Sequence, residues 1–145
     1  MNVRNILEGK GAPEVRTIDP ERTIQEAIQR LVEHNIGSLV VVDGEGEMVG
    51  IITERDILRV CAGGADRLGT IRVAEAMSRN LIVGESDDSV DYVMGIMTQN
   101  RIRHLPIVGR QGLRGMVSIG DVVKIQLHEK EYENRHLREY IQGSY

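Results

Sequence analysis

The chain has no tryptophan, no phenylalanine and a single cysteine. Without Trp or Phe, any interior built from it has to be aliphatic, with methionine filling the gaps. Cys61, standing alone, can form neither an intrachain disulfide nor a multi-cysteine zinc site. A membrane span needs about 20 consecutive apolar residues, and no run in the sequence comes near that. The N-terminus lacks the apolar centre of a secretory signal, so a soluble, cytoplasmic protein is expected. Positive charge is not in excess: 18 Lys and Arg stand against 22 Asp and Glu, a net charge of −4 with a pI of about 5.6. That balance argues against bulk nucleic-acid or membrane-surface partners.

Other absences concern chemistry. His34, His104, His128 and His136 fall in no metal-ligand spacing, so no metal site is expected. Nothing suggests a nucleophile paired with a base, so neither catalysis nor a catalytic cofactor is expected. Gly44, Gly46 and Gly50 have the wrong spacing for a dinucleotide fingerprint and lie between two strands. Gly63-Gly64 lacks the Lys and the hydroxyl residue of a phosphate loop.

What the chain does have is an internal repeat. Residues 50–56 read Gly-Ile-Ile-Thr-Glu-Arg-Asp, and residues 115–121 read Gly-Met-Val-Ser-Ile-Gly-Asp. Upstream, Thr23, Ile24, Ala27 and Ile28 match Ser89, Val90, Val93 and Met94 at an offset of 66. Ile36, Leu39, Val41 and Val42 match Ile102, Leu105, Ile107 and Val108 at the same offset. The offset then falls to 65, which places one deletion between Val108 and Gly115, in a segment that reads as a hairpin turn. Val3 to Leu7 faintly echoes Val73 to Met77. A repeat of about 60 residues is marginal alone, so the two copies are expected to share a core.

Each copy parses alike. Thr17-Ile18-Asp19-Pro20 is a short extended piece. Thr23 reads as a helix N-cap with Glu26 at the capping-box position, followed by Ile24, Ala27, Ile28, Leu31 and Val32 at helical spacing. Ser38–Val42 is a β-branched run that suits a buried strand, Asp43–Glu47 is turn chemistry, Met48–Thr53 is a second strand, and Glu54 starts another helix. The second copy predicts a helix at Ser89–Asn100, strands at His104–Val108 and Leu113–Ser118, and a helix from about Ile119. The order is β-α-β-β-α, twice. Residues 1–69 form the first repeat with its connector, 70–127 the second, and 128–145 a helical tail. The tail is mostly charged; it reads either as a solvated helix or as one that meets a second copy or a partner through Tyr132, Tyr140 and Tyr145.

These residues resemble a tandem pair of CBS domains, the Bateman module. The resemblance is carried by Ile-Gly-Ser-Leu-Val-Val-Val-Asp (36–43) with Gly-Ile-Ile-Thr-Glu-Arg-Asp (50–56), and by Arg-His-Leu-Pro-Ile-Val (103–108) with Gly-Met-Val-Ser-Ile-Gly-Asp (115–121). It covers about residues 1–127 and implies an α/β (α+β) module of two pseudo-symmetric repeats plus a C-terminal helix. It also implies a homodimer, a regulatory rather than catalytic role, and an adenine nucleotide ligand (AMP, ATP or NAD).

The repeated motif has its own physical reading. Thr53 and Ser118 fall where a strand ends and a helix begins, and a helix N-terminus presents unpaired N–H groups to an anion. Asp56 and Asp121, one turn on, can accept hydrogen bonds from the two vicinal hydroxyls of a ribose. The same Ser/Thr-x-x-Asp spacing is also that of a capping box, and the two roles are compatible. The resemblance adds an adenine wall, for which Ile18 and Val83 are candidates, and directs Arg103 and His104 at phosphates, beside Pro106 in the following strand. The first copy has Gly37-Ser38 there and carries Arg55 inside its motif instead, so the Ser118/Asp121 site is the stronger expectation for a phosphate. The alternative is a protein-interaction module with vestigial ligand sites.

Overall fold

The computed structural model of the chain describes residues 1–11 and 15–142, so Tyr145 lies outside the described residues. The element order is α1 (Val3–Gly9), β1 (Thr17–Ile18), α2 (Ile24–His34), β2 (Ser38–Val42), β3 (Met48–Thr53), α3 (Glu54–Ala62), α4 (Val73–Ala76), β4 (Gly84–Glu85), α5 (Val90–Asn100), β5 (His104–Gly109), β6 (Gly112–Ser118) and α6 (Ile119–Ile141). The connector adds a 3-10 turn at Ala65–Arg67. Two three-stranded sheets result, β1-β2-β3 and β4-β5-β6. In each, the short first strand runs parallel to the second, and the second pairs antiparallel with the third.

The repeat is visible down to its irregularities. Both hairpins carry a register shift at the same place, between Val41 and Val42 and between Ile107 and Val108. The missing residue falls in the turn. Val42 pairs with Met48 across Asp43–Glu47, whereas Val108 pairs with Leu113 across a loop one residue shorter. In the longer turn, Asp43 Oδ1 accepts the amides of Glu45 and Glu47, both at 2.9 Å, and Gly46 takes φ +82. The shorter turn places Gly112 at φ +99, which only glycine adopts without strain.

The interior is aliphatic, as the composition requires. Under the first sheet Ile18, Ile24, Ala27, Leu31, Leu39, Val41, Ile52, Val73 and Met77 form one buried cluster. The second copy buries the matching Val90, Val93, Met97, Leu105, Ile107 and Val117, with Val3, Ile6 and Val122.

The chain forms two compact units, each combining one repeat with the leading helix of the other. One unit is Glu14–Ile82; the other joins Met1–Pro13 to Val83–Tyr145. The physical reason is an exchange of leading helices. Helix α1, which opens the first repeat, docks on the second: Val3 N–H donates to Asp88 O (2.9 Å), Arg4 N–H to Ser86 O (3.0 Å), and Val90 N–H to Met1 O (3.1 Å). Helix α4, which opens the second repeat, docks on the first by the matching bonds: Val73 N–H to Arg22 O (2.8 Å), Ala74 N–H to Pro20 O (2.9 Å), and Ile24 N–H to Ile71 O (2.9 Å). The faint echo of Val3–Leu7 in Val73–Met77 is this shared docking. Helix α6 runs unbroken from the second repeat through Ile141, as the uninterrupted run of helix formers suggests.

The docking explains the glycine that opens each motif. A Cβ on Gly50 would lie 2.7 Å from Met77 Sδ and 2.8 Å from the Ser78 carbonyl. A Cβ on Gly115 would lie 2.6 Å from Leu7 Cδ2, the end of a flexible side chain. The Ser78 backbone is pinned, since it exchanges hydrogen bonds with Ile51 at 2.9 and 3.0 Å. Gly50→Ala therefore destabilises the fold by about 1–3 kcal/mol. Gly115→Ala costs less, because Leu7 can turn away. Urea denaturation of the two variants checks the order.

Candidate functional site

The strand-to-helix junctions of the two repeats are built alike. In the first, β3 ends at Thr53, whose extended backbone caps α3. Thr53 Oγ1 accepts the Asp56 amide at 3.4 Å, and Asp56 Oδ2 accepts the Thr53 amide at 2.9 Å and its hydroxyl at 3.2 Å. In the second, Ser118 Oγ accepts the Asp121 amide at 3.2 Å, and Asp121 Oδ2 accepts the Ser118 amide at 2.9 Å. The next amide is taken by the partner strand: Glu54 N–H donates to Gly37 O at 3.1 Å, and Ile119 N–H to Arg103 O at 2.8 Å. Both junctions are thus full capping boxes. They leave the N–H groups of Arg55 and Gly120 without a hydrogen-bond partner among the described residues. Each of these amides belongs to an exposed residue in the first turn of its helix, at the positive end of the helix dipole.

Sheet register gathers several of the expected residues. Ser38 lies opposite Thr53, and His104 lies opposite Ser118. Ser38 and Asp56 are the buried polar residues among those described, and both belong to the first junction. Arg55 and Arg103 are exposed beside their motifs. Pro106 is buried within β5, opposite Met116. Ile18 is placed differently from the expectation. It is 2% exposed, in the centre of the first core, because β1 alternates an exposed Thr17 with a buried Ile18. Its side chain is held by packing, whereas Val83 is exposed. Glu26 also departs from expectation. Its amide is capped by Thr23, but its carboxylate turns to the Thr23 hydroxyl and to Arg22, and the box at α2 stays open.

The junctions differ in the cation each carboxylate meets. Lys10, at the end of α1, donates to Asp121 Oδ2 at 2.9 Å and to the Met116 carbonyl at 2.8 Å. The residue matching Lys10 behind α4 is Asn80, so Asp56 receives no such lysine. Asp56 instead borders an open groove of roughly 430 Å³ lined by Arg59, Gly63, Gly64, Arg67 and Glu75. The nearer arginine is loosely placed, with Arg59 at 3.9 Å from Asp56 Oδ1. Sequence reasoning missed Lys10, and no signal near it marks the role: only the exchange of leading helices brings it to Asp121.

The chain matches the CBS domain family over residues 10–63 and 73–128. It belongs to that family. It is 42% identical over 127 residues to the mitochondrial CBS domain-containing protein CBSX3 of Arabidopsis thaliana, a match covering 85% of this chain and 62% of that protein. The chain therefore spans less than two thirds of that relative's length. Its fold is similar to the crystal structure of a CBS-domain containing protein of Agrobacterium tumefaciens, with TM-score 0.82 and 38% identity over 86% of this chain and 92% of that one. It is also similar to the CBS domain pair of protein MJ0100, solved with 5′-methylthioadenosine and S-adenosyl-L-methionine. There the TM-score is 0.77 and the identity 30%, over 89% and 98% of the two chains. The sequence resemblance to a tandem CBS pair and its mixed α/β fold are thereby shown. Among the described residues no helix is long and apolar enough to cross a membrane.

Partial burial alone would raise the pKa of Asp121. The Ser118 amide and the Lys10 ammonium outweigh it, and the carboxyl ends below its ordinary value. The stability this contributes is present above the unfolded-state pKa, near 4, and disappears as pH falls through the lower folded value. Lys10→Met should cost under about 1 kcal/mol at pH 7, given the partial exposure of both groups. The gap to wild type should close as pH falls below the ordinary carboxylate range and Asp121 protonates. Urea melts across that range measure it.

Proposed function

We propose that the chain is a regulatory module that binds an adenine nucleotide at its Thr53–Asp56 and Ser118–Asp121 junctions, with AMP, ATP or NAD as the candidates. The observation that carries this reading is the shared layout of the two junctions. Each sets an open helix amide beside a carboxylate whose Oδ2 is engaged in the cap, and Oδ1 is the acceptor proposed for a ribose diol. The amides of Arg55 and Gly120, with the Thr53 and Ser118 hydroxyls, suit a phosphate. Arg103, His104 and Arg55 add positive or donor groups nearby, and Val83 offers an apolar surface to the base. The adenosine ligands on the MJ0100 pair support the ligand class. Lys10 gives the second site a cation that can turn from Asp121 toward a phosphate, which favours that site for charged nucleotides. The role is non-catalytic: two copies pair as a homodimer, and the ligand acts on a partner by preferring one of two conformations.

One observation favours the alternative, an interaction module whose sites are vestigial. Lys10 already holds the Asp121 carboxylate that a ribose would need.

Thermal-shift titration with AMP, ADP, ATP, NAD and 5′-methylthioadenosine separates the two readings. Asp56→Asn and Asp121→Asn are the informative variants, because Asn keeps a cap acceptor whereas Ala removes it. A ligand at 100 times its Kd adds about 2.7 kcal/mol, a rise on the order of 5–10 °C at this chain size. The expected result is a rise with at least one phosphate-bearing ligand that one of the two Asn variants removes. A flat response to all five sinks the nucleotide reading. A response to 5′-methylthioadenosine alone shows that the ribose contact is real and the phosphate contact is not.

A further inference from the structure

Helix α6 has 23 residues, and only its first turns pack on the second repeat. From Leu127 onward every described residue is exposed. That free length is about 22 Å at 1.5 Å per residue. An isolated helix of this length is marginal in water without a surface to pack against.

The apolar residues along it are not scattered. Val123, Leu127, Leu137 and Ile141 are 45%, 57%, 56% and 81% exposed, and they lie on one line. With Lys130 and Asn134 they are spaced 4-3-4-3-4, the seam of a two-stranded coiled coil with Leu127, Asn134 and Ile141 at a positions and Val123, Lys130 and Leu137 at d positions. Charge on the flanks decides what covers the seam. In that heptad Glu133 falls at g and Arg138 at the following e position. In a parallel pair of copies, Glu133 of each helix meets Arg138 of the other, and Asn134 meets Asn134, the polar a layer that fixes register in parallel dimers. An antiparallel pair would also match apolar layers with apolar ones. It would, however, set Lys124 against Arg138, Glu131 against Glu131 and Glu133 against Glu133. The parallel pair has one unfavourable layer, Lys130, whose long stem can carry its ammonium out to the rim.

We propose that residues 123–141 of two copies wind together as a parallel, in-register two-stranded coiled coil, so that the occupant of this helix face is a second copy of the chain. The inference rests on the self-association included in the proposed function and specifies its surface; it is independent of whether a nucleotide binds.

Sedimentation equilibrium of the full chain tests it, using wild type, Leu137→Glu, Arg138→Glu and the double reversal Glu133→Arg/Arg138→Glu. All three side chains are exposed, so the fold should be retained. Wild type should associate, and Leu137→Glu should raise the dimer Kd roughly tenfold or more. Arg138→Glu should weaken association and the double reversal should restore it. A monomeric wild type would overturn both this inference and the self-association it rests on. A dimer indifferent to Leu137→Glu would overturn the coiled coil and leave self-association through another face. Tighter association in Arg138→Glu would overturn the parallel arrangement, since that change sets a carboxylate opposite Lys124 only in the antiparallel one.

Discussion

A hydroxyl and a carboxylate three residues apart close the first turn of α3 and of α6, and the candidate sites depend on that closure. A helix beginning directly out of a strand leaves four amides in need of acceptors. Here the Asp, the Thr or Ser, and a carbonyl of the neighbouring strand each satisfy one. The remaining amide, on Arg55 or Gly120, is held in place by its satisfied neighbours and is still unused. Capping and binding are therefore not competing explanations of the motif. The cap is what fixes the geometry that a ligand would meet.

The exchange of leading helices makes the two sites unequal. Because α1 packs on the second sheet, the lysine at its end reaches Asp121, while the residue that matches it in sequence behind α4 is Asn80, which carries no charge. The glycines at 50 and 115 are part of the same arrangement, since each lets a leading helix approach its sheet. One local sequence thus serves three levels at once: Gly for helix docking, the β-strand for the core, and Thr or Ser with Asp for the helix start.

Much of this could be read in the residues, and the parts that could not share a cause. Strands at Ser38–Val42 and Met48–Thr53, the caps at Thr23 and Ser89, and the turn that absorbs the deletion are all local, and turn chemistry with apolar periodicity reports them. The docking of α1 on the second repeat is non-local, and its sequence trace was a five-residue echo too weak to assign a partner. Lys10 was invisible for the same reason. The burial of Ile18 was not legible either, because a two-residue strand has too little alternation to show which of its side chains points inward. Glu26 sat at the right spacing for a capping box, yet Arg22 nearby offered its carboxylate another partner.

The most direct test of the central claim is amide chemical shift during titration of isotopically labelled protein with AMP, ATP or NAD. The account predicts that the backbone N–H signals of Arg55 or Gly120, the two left open by the caps, move saturably and by more than those of Asp56 and Asp121, whose amides stay bonded within the caps. Saturable binding that leaves both the Arg55 and Gly120 amides unmoved would contradict it, by showing that the ligand sits away from the helix starts.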